Sequence, residues 1–354
     1  MSIPLPPSPR LLLAPMEGLL DARLRAVLTD AASYDWCVTE FVRVTQEVLP
    51  RRAFLRLAPE LATGSRTAGG VPVRVQLLGA DPGRMAANAA RLLSLGPAGV
   101  DLNFGCPAPQ VNRHRGGAVL LDEPELLYAV TAAVGAEVRG RAPYSAKMRL
   151  GVRDPSRAIE AAQALEAGGV ELLVVHARTR DERYRPPAHW SWVARIAEAV
   201  KLPVVANGEI WTIEDYLRCR AESGRADVML GRGAVADPFL VERIRARLVG
   251  TETRRPADDW PRLLPLLADY WQRVTRDMAP RHAPGRLKQW LNLLRQHYPP
   301  AARLFDSMRE LRDVDAIGAC LAQAGTPGIA AGPGVCEHRK TERTQAAAKA
   351  RRSG

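Results

Sequence analysis

The strongest constraint on the fold of this chain is a repeat in which short apolar runs alternate with amphipathic helical stretches through the first 250 residues. Continuous hydrophobicity in runs this short is typical of strands buried on both faces. Eight such runs are present, at residues 11–15, 36–41, 72–78, 99–104, 144–149, 171–176, 203–207 and 226–230. Helical stretches such as 84–95, 156–167 and 213–223 separate them. This number of strand–helix units predicts an α/β fold, a (β/α)8 TIM barrel.

A doubly wound open sheet is the main alternative, because it is built from the same strand–helix units. It requires a reversal of strand order, which the sequence alone cannot show. It is also commonly accompanied by an early GxGxxG motif, and this chain has none. The barrel is therefore the preferred interpretation.

Candidate site residues stand at the carboxyl ends of most of the predicted strands, where TIM barrels hold their active sites. In chain order they are Ala14, Pro15, Met16, Gln76, Asn103, Cys106, Lys147, Arg149, His176, Arg178, Asn207, Gly208 and Glu209. A single histidine such as His176 is more often structural than catalytic. Lys147 on a buried strand is costly unless an anion compensates its charge. The convergence of six strand ends nevertheless predicts a functional site.

Cys106 lies between Gly105 and Pro107, where the fourth predicted strand becomes a loop. Glycine and proline fix the backbone on both sides of the thiol. A thiol at this position is a candidate catalytic group, and a buried structural cysteine is the alternative.

Two glycine-containing loops follow the last two predicted strands. They are Asn207-Gly208 and Gly231-Arg232-Gly233. Barrels often bind a phosphate on backbone amides at this place, and Arg232 adds a charge suited to an anion. A simple turn is the alternative for the second loop. A phosphate site beside a buried Lys147 suits flavin mononucleotide, because the lysine could offset negative charge on the ring.

The chain changes character after about residue 250, where helical periodicity replaces the strand–helix repeat. The predicted organisation is an extension over 1–10, the barrel over 11–250, a helical domain over 251–325 and a basic disordered tail over 326–354. Between Asp277 and Asp306 there is no acidic residue. Candidate RNA contacts in this interval are Arg281, Arg286, Lys288 and Arg295. The net charge of +12 favours an anionic partner. An exposed face that keeps a small helical bundle soluble is the alternative.

Eight segments carry a resemblance to a known family. They read LAPMEG at 13–18, TEFVRV at 39–44, VQLLG at 75–79, DLNFGCP at 101–107, KMRLG at 147–151, HART at 176–179, VANGEI at 205–210 and GRGA at 231–234. In this order and spacing the chain closely resembles the bacterial tRNA-dihydrouridine synthases. It is most similar to the C subtype, which acts on uridine 16 of the D-loop.

The resemblance implies a flavoenzyme that transfers hydride from NADPH through FMN to C6 of a uracil ring in tRNA. Cys106 matches the family's donor of the proton to C5. The resemblance also implies cofactor contacts from Ala14, Pro15, Met16, Gln76, Lys147, His176, Asn207, Gly208, Glu209, Gly231 and Arg232. It places Glu40, Asn103 and Arg178 at the base or the RNA.

Other sequence features bear on membrane spans, secretion and metal binding. No run reaches the roughly 18 apolar residues that span a membrane, and the N-terminus lacks the apolar stretch of a secretory signal. We therefore expect a cytoplasmic protein. The cysteines form no CxxC pair, so no metal is expected. We expect a monomer, because no feature of the sequence requires a second copy of the chain. Two alternatives to tRNA reduction stay open: a pyrimidine flavin oxidoreductase of the dihydroorotate dehydrogenase type, and a non-enzymatic RNA-binding barrel.

Overall fold

The computed structural model describes residues 8–45, 47–113 and 115–324. It divides the chain into two compact units. Within the described residues, unit 1 covers 8–234 and Leu240–Gly250, and unit 2 covers Val235–Phe239 and 251–324. The predicted tail over 326–354 and most of the predicted extension over 1–10 lie outside the described residues.

Unit 1 is built on a single sheet of parallel strands. The strands are β1 (Leu11–Leu13), β2 (Cys37–Val38), β3 (Val42–Arg43), β4 (Val73–Leu78), β5 (Val100–Phe104), β6 (Tyr144–Arg149), β7 (Leu172–His176), β8 (Val204–Asn207) and β9 (Val228–Leu230). Each of the eight predicted strands overlaps one of these. The short β3 was not predicted as a separate strand. It continues the second predicted run and pairs with the end of β4.

The sheet closes on itself. Neighbouring strands follow the order β2-β1-β9-β8-β7-β6-β5-β4, and β2 pairs with β4 as well as with β1. Closure removes the free edges that a doubly wound sheet would keep. The prediction of a TIM barrel is therefore confirmed, and the open sheet is excluded.

Helices follow the strands of unit 1. They are α1 (Ala22–Ala31), α2 (Arg51–Leu57), α3 (Pro82–Leu93), α4 (Pro109–Asn112), α5 (Pro124–Val138), α6 (Ala158–Ala167), α7 (Trp190–Ala199), α8 (Ile213–Ser223), α9 (Arg232–Ala236) and α10 (Leu240–Leu248). Local signals set their ends. Asp21 caps α1 and Asp81 caps α3, while α8 begins with a capping box between Thr212 and Asp215.

The interior of the barrel has an apolar half and a polar half. Alternate residues of a strand point into the barrel, so the residue types at these alternate positions decide what fills its interior. A buried apolar cluster is formed by Leu12, Ala14, Trp36, Val38, Leu172, Val174, Val205 and Met229. The corresponding positions of β4, β5 and β6 are Gln76, Asp101, Asn103, Ser145 and Lys147, all of them buried. A polar half of this kind is costly to fold and marks the side of the barrel where function is expected.

Unit 2 is helical, with α11 (Trp260–Asp277), α12 (Ala283–Leu294), α13 (Pro299–Met308) and α14 (Val314–Ala324). Trp290 is fully buried and its ring meets Tyr270 edge-on, with ring centroids 5.1 Å apart. Its indole Nε1 donates to the carbonyl oxygen of Val235 at 3.0 Å. None of the helices in the described part of the chain is long and apolar enough to cross a membrane.

Candidate active site

A cleft with a volume of about 350 Å³ lies at the carboxyl ends of the barrel strands. It is lined by every site residue predicted within the barrel. These are Ala14, Pro15, Met16, Glu40, Gln76, Asn103, Cys106, Lys147, Arg149, His176, Arg178, Asn207, Gly208, Glu209, Gly231 and Arg232. The structure thus brings together residues that come from eight of the nine strands or from the segments that follow them. Their individual roles stay predictions.

A chain of hydrogen bonds crosses the polar half of the barrel. Asp101 accepts from Gln76 Nε2 at 2.6 Å and from Ser145 Oγ at 2.6 Å. Asn103 Nδ2 donates to Gln76 Oε1 at 2.7 Å. The register of the sheet explains these contacts, because Gln76, Asp101 and Ser145 are direct neighbours on three adjacent strands. Buried amides are expensive unless every polar atom is paired, so this network fixes the orientation of both amide groups.

The loop that carries Cys106 is held from two sides. Asn103 Oδ1 accepts from the backbone N–H of Gly105 at 3.0 Å and of Cys106 at 2.9 Å. On the other side, the Cys106 carbonyl accepts from the backbone N–H of Ala118 at 3.1 Å. Burial raises the pKa of the half-buried Cys106 thiol. The thiol is therefore protonated at neutral pH, which suits a proton donor better than a nucleophile.

Gly117 allows the chain to approach Cys106 closely. It adopts φ +70°, and a Cβ added there would lie 2.8 Å from the Cys106 carbonyl oxygen. We expect Gly117→Ala to destabilise the protein by about 2–4 kcal/mol, from backbone strain plus displacement of this loop. The matched control is Gly140→Ala, which has φ +72° but open space around its Cβ. Denaturant unfolding should show the larger loss for Gly117; equal losses would contradict the close-approach argument.

Basic side chains gather on the floor of the cleft, where Glu209 pairs with Arg178 and buried Asp101 only partly offsets Lys147. Burial, helped by Arg149, lowers the pKa of Lys147 to about 7. Burial also lowers the pKa of His176 well below its ordinary value, and Arg149, Lys147, Arg178 and Arg232 all act in the same direction. His176 is therefore neutral at pH 7. A floor of this composition is suited to an anionic ligand, whose charge would compensate the cations.

The segment after β8 is shaped by its contacts with the end of β7. Gly208 adopts φ +116°, and a Cβ there would lie 2.9 Å from His176 Cδ2, so only glycine fits. Asn207 Nδ2 donates to the carbonyl oxygen of Met229 at 2.7 Å. Arg178 is fully buried and forms an ion pair with Glu209. Glu209 therefore offsets the charge of Arg178 within the protein. A contact between Arg178 and RNA would need another N–H group of the same guanidinium.

One wall of the cleft was missed by sequence reasoning. Tyr184 lies between two guanidinium groups, with Arg149 Cζ 5.2 Å and Arg232 Cζ 4.6 Å from its ring centroid. Trp211 lies 5.1 Å from the same Arg232 carbon. Tyr184 stands in an irregular segment of charged residues and proline with no periodicity, so no sequence signal marked it. Arginines stacked on aromatic rings form a pre-oriented cationic wall.

The loop after β9 leads directly into a short helix. Gly231 and Arg232 line the cleft as predicted. The helix that follows them, α9, has only five residues. Its dipole is correspondingly small, so binding of a phosphate here would depend on the backbone amides and the Arg232 guanidinium.

Comparison with known proteins decides the family. The family model "Dihydrouridine synthase (Dus)" matches residues 12–318. The chain belongs to the dihydrouridine synthase family. The tRNA-dihydrouridine(16) synthase of Ralstonia nicotianae is 55% identical over 86% of this chain and 92% of its own length. The enzyme of the same name from Aquipseudomonas alcaligenes is 53% identical over 88% of this chain and 98% of its own. The predicted resemblance, and with it an oxidoreductase of the dihydrouridine synthase type, is confirmed.

A solved structure supports the fold of this dihydrouridine synthase. A 2-naphthoyl-CoA reductase in complex with 2-naphthoyl-CoA superposes with a TM-score of 0.52 at 13% identity, covering 68% of this chain and 50% of that chain. At this identity the likeness concerns the barrel alone.

The cleft of this dihydrouridine synthase fits a flavin mononucleotide. The cluster of basic side chains on its floor suits an anionic group, and the amides of Gln76 and Asn207 line the cleft where they can form directional hydrogen bonds. Gly208 and Gly231 leave the backbone accessible beside Arg232. Within the described residues no group of three or more His, Cys, Asp or Glu side chains could hold a metal ion.

The predicted RNA contacts after residue 250 belong to unit 2 and do not line the cleft. Arg281 and Arg295 are exposed, whereas Arg286 and Lys288 are half-buried. Lys288 Nζ donates to the carbonyl oxygens of Arg309 at 2.9 Å and Leu311 at 2.5 Å. Lys288 therefore fastens the chain that follows α13, a structural role that the charge pattern did not reveal.

Proposed function

We propose that this protein reduces uridine to 5,6-dihydrouridine in the D-loop of tRNA, using FMN as cofactor and NADPH as electron donor, in the cytoplasm. Family membership supports the reaction type. The observation that carries the proposal is the placement of a protonated thiol, Cys106, in the same cleft as the buried Lys147. The proposed site is position 16, the position that appears in the names of both relatives described above.

Cys106 supplies the proton in this proposal. Addition of hydrogen across the C5–C6 bond needs one hydride and one proton. When bound, FMN supplies the hydride that reaches C6. The Cys106 Sγ–H group then donates its proton to C5, and the resulting thiolate takes up a proton from solvent. The raised pKa of Cys106 keeps the donor loaded at neutral pH.

The polar groups of the cleft hold the cofactor and the base. Lys147 would offset negative charge on the flavin ring. Gln76, His176 and Asn207 would orient the ring, and Arg232 with the Gly231 amide would bind the phosphate. The uridine must leave its stack in the tRNA, at a cost of a few kcal/mol, so the walls of the cleft have to compensate by contacts with the base.

A purified enzyme assay separates the three candidate functions. We expect dihydrouridine to form when the protein is incubated with unmodified tRNA, FMN and NADPH, and we expect no turnover of dihydroorotate. Rapid oxidation of dihydroorotate would instead favour the small-molecule alternative. A colourless protein that binds tRNA and forms no product would favour the non-enzymatic alternative.

The exposed arginines of unit 2 are proposed to bind the tRNA backbone. We expect Arg281→Gln combined with Arg295→Gln to raise KM for tRNA several-fold and to reduce the salt dependence of binding by about 2 in log–log slope, leaving kcat nearly unchanged. The matched control is Arg276→Gln, because Arg276 is already paired with Asp277 at 2.7 Å. Equal effects in the control would show that these arginines act only through general charge.

A further inference from the structure

A carboxyl group lies beneath the cleft, one layer below the residues that line it. Asp101 is 1% exposed. Gln76, Asn103 and Lys147 line the cleft, whereas Asp101 and Ser145 do not. Asp101 therefore does not reach a ligand in the cleft, and any effect that it has on the reaction passes through its neighbours.

The hydrogen-bond chain has a fixed direction. The backbone amides of Gly105 and Cys106 can only donate, so Asn103 turns its Oδ1 toward them and its Nδ2 toward Gln76. Gln76 must then present Oε1 to Asn103 and Nε2 to the group beyond it. Only an acceptor satisfies that amide, and Asp101 Oδ2 provides one at 2.6 Å. A donor or an apolar group at this position would leave a buried amide unpaired.

The same carboxyl group influences the charge of the floor. Burial and Arg149 lower the pKa of Lys147, and Asp101 acts in the opposite direction. The β5–β6 register places Asn103 directly opposite Lys147, two residues along the strand from Asp101. Asp101 is thus linked through hydrogen bonds to the Cys106 loop, and it also raises the pKa of Lys147 in the cleft floor.

We propose that Asp101 is a positioning residue of this enzyme. It acts through Gln76 and Asn103 to hold the Cys106 loop in a fixed position at the cleft. Its effect on dihydrouridine formation rests on the proposed function. Its effect on the position of the thiol does not, and the two can be measured separately.

The first measurement is the rate at which iodoacetamide alkylates Cys106 in the purified flavin-containing protein, read at that residue by peptide mass spectrometry. We expect Asp101→Ala to release the loop and to speed alkylation by about tenfold or more. The second is kcat for dihydrouridine formation, which should fall by about 100-fold, the usual effect of displacing a reacting group by about 1 Å.

Asp101→Asn is the decisive comparison, because asparagine keeps an acceptor for Gln76 while it removes the charge. Both the alkylation rate and kcat should remain within about fivefold of wild type. Ser223→Ala is the matched control for loss of a buried hydrogen bond, because Ser223 Oγ donates to the Cys219 carbonyl in α8, remote from this chain of bonds. It should change neither quantity.

If Asp101→Ala fails to fold, Gln76→Leu breaks the next bond of the chain and should speed alkylation in the same way. Unchanged alkylation of Cys106 in a folded variant of either kind would overturn the proposal. So would an Asp101→Asn enzyme as impaired as Asp101→Ala, because the acceptor would then be irrelevant. A wild-type protein inactive on tRNA, with the expected alkylation pattern, would contradict the proposed function and support the positioning role.

Discussion

Replacing Cys106 with alanine is expected to reduce dihydrouridine formation by roughly 10²–10⁴-fold, the range in which a positioned proton donor contributes to catalysis. The cause is loss of the only thiol that lines the cleft among the residues that the structure describes. Binding of FMN and of tRNA should be nearly unchanged, because the loop is held by Asn103 and by backbone contacts rather than by the sulfur atom. Single-turnover assays with digestion of the tRNA and mass spectrometry of its nucleosides measure the product directly.

The matched control for this substitution is Cys219→Ala. Cys219 is a buried thiol on α8, and burial raises its pKa to about 12, so it shares the protonated state of Cys106 but not its place in the cleft. The control should retain the wild-type rate. Similar rates in both variants would show that the proton comes from another group.

Replacing Lys147 with methionine is expected to weaken FMN binding by about 10–100-fold, which corresponds to the loss of one hydrogen bond or ion pair to a charged group. The rate of dihydrouridine formation should fall as well, because the cation that offsets charge on the flavin ring is removed. Flavin fluorescence titration measures the first effect. Lys201→Met is the control, since Lys201 is an exposed lysine outside the cleft.

The same substitution should stabilise the flavin-free protein. The pKa of Lys147 is lowered from 10.5 to about 7. Between these two pH values the unfolded chain binds a proton at this lysine that the folded chain does not. The free energy of unfolding therefore rises as pH increases from about 7 to 10.5. Below about pH 7 the folded and the unfolded chain both carry the proton. The full free-energy cost of burying the charged lysine then destabilises the folded state.

Lys147→Met removes both the cost and the pH-dependent rise. At pH 7 we expect the flavin-free variant to be more stable by roughly 1–3 kcal/mol in urea unfolding. A decrease in stability at pH 7, or an unaltered rise above it, would contradict a free-energy cost of burying the Lys147 ammonium group. A residue that costs stability and improves cofactor binding is typical of a functional site.

The barrel and the residues that line the cleft could be predicted from the sequence, because both depend on local sequence patterns. Short apolar runs bounded by turns identify buried strands, and a parallel barrel brings the carboxyl ends of all its strands together. Once the strands were placed, residues as distant in sequence as Met16 and Arg232 had to meet. Family motifs narrowed this set further, which is why every residue predicted within the barrel lines the cleft.

The remaining features depend on contacts that no local pattern records. Tyr184 enters the cleft from an irregular segment, and its ring packs against Arg149 of β6 and Arg232 of α9. Lys288 belongs to a basic interval, yet its ammonium group satisfies backbone carbonyls. The network around Asp101 requires the register between β4, β5 and β6, which a sequence does not specify. Long-range register and loop placement thus limited the prediction.

The most direct test of the central claim is a map of dihydrouridine at each D-loop position in tRNA from cells that lack this gene and carry either the wild-type chain or Cys106→Ala. Our account predicts that the wild-type chain restores dihydrouridine at position 16 and that the Cys106→Ala chain, at equal abundance, does not. Restoration of position 16 by Cys106→Ala, or no change at any D-loop position when the gene is absent, would contradict it.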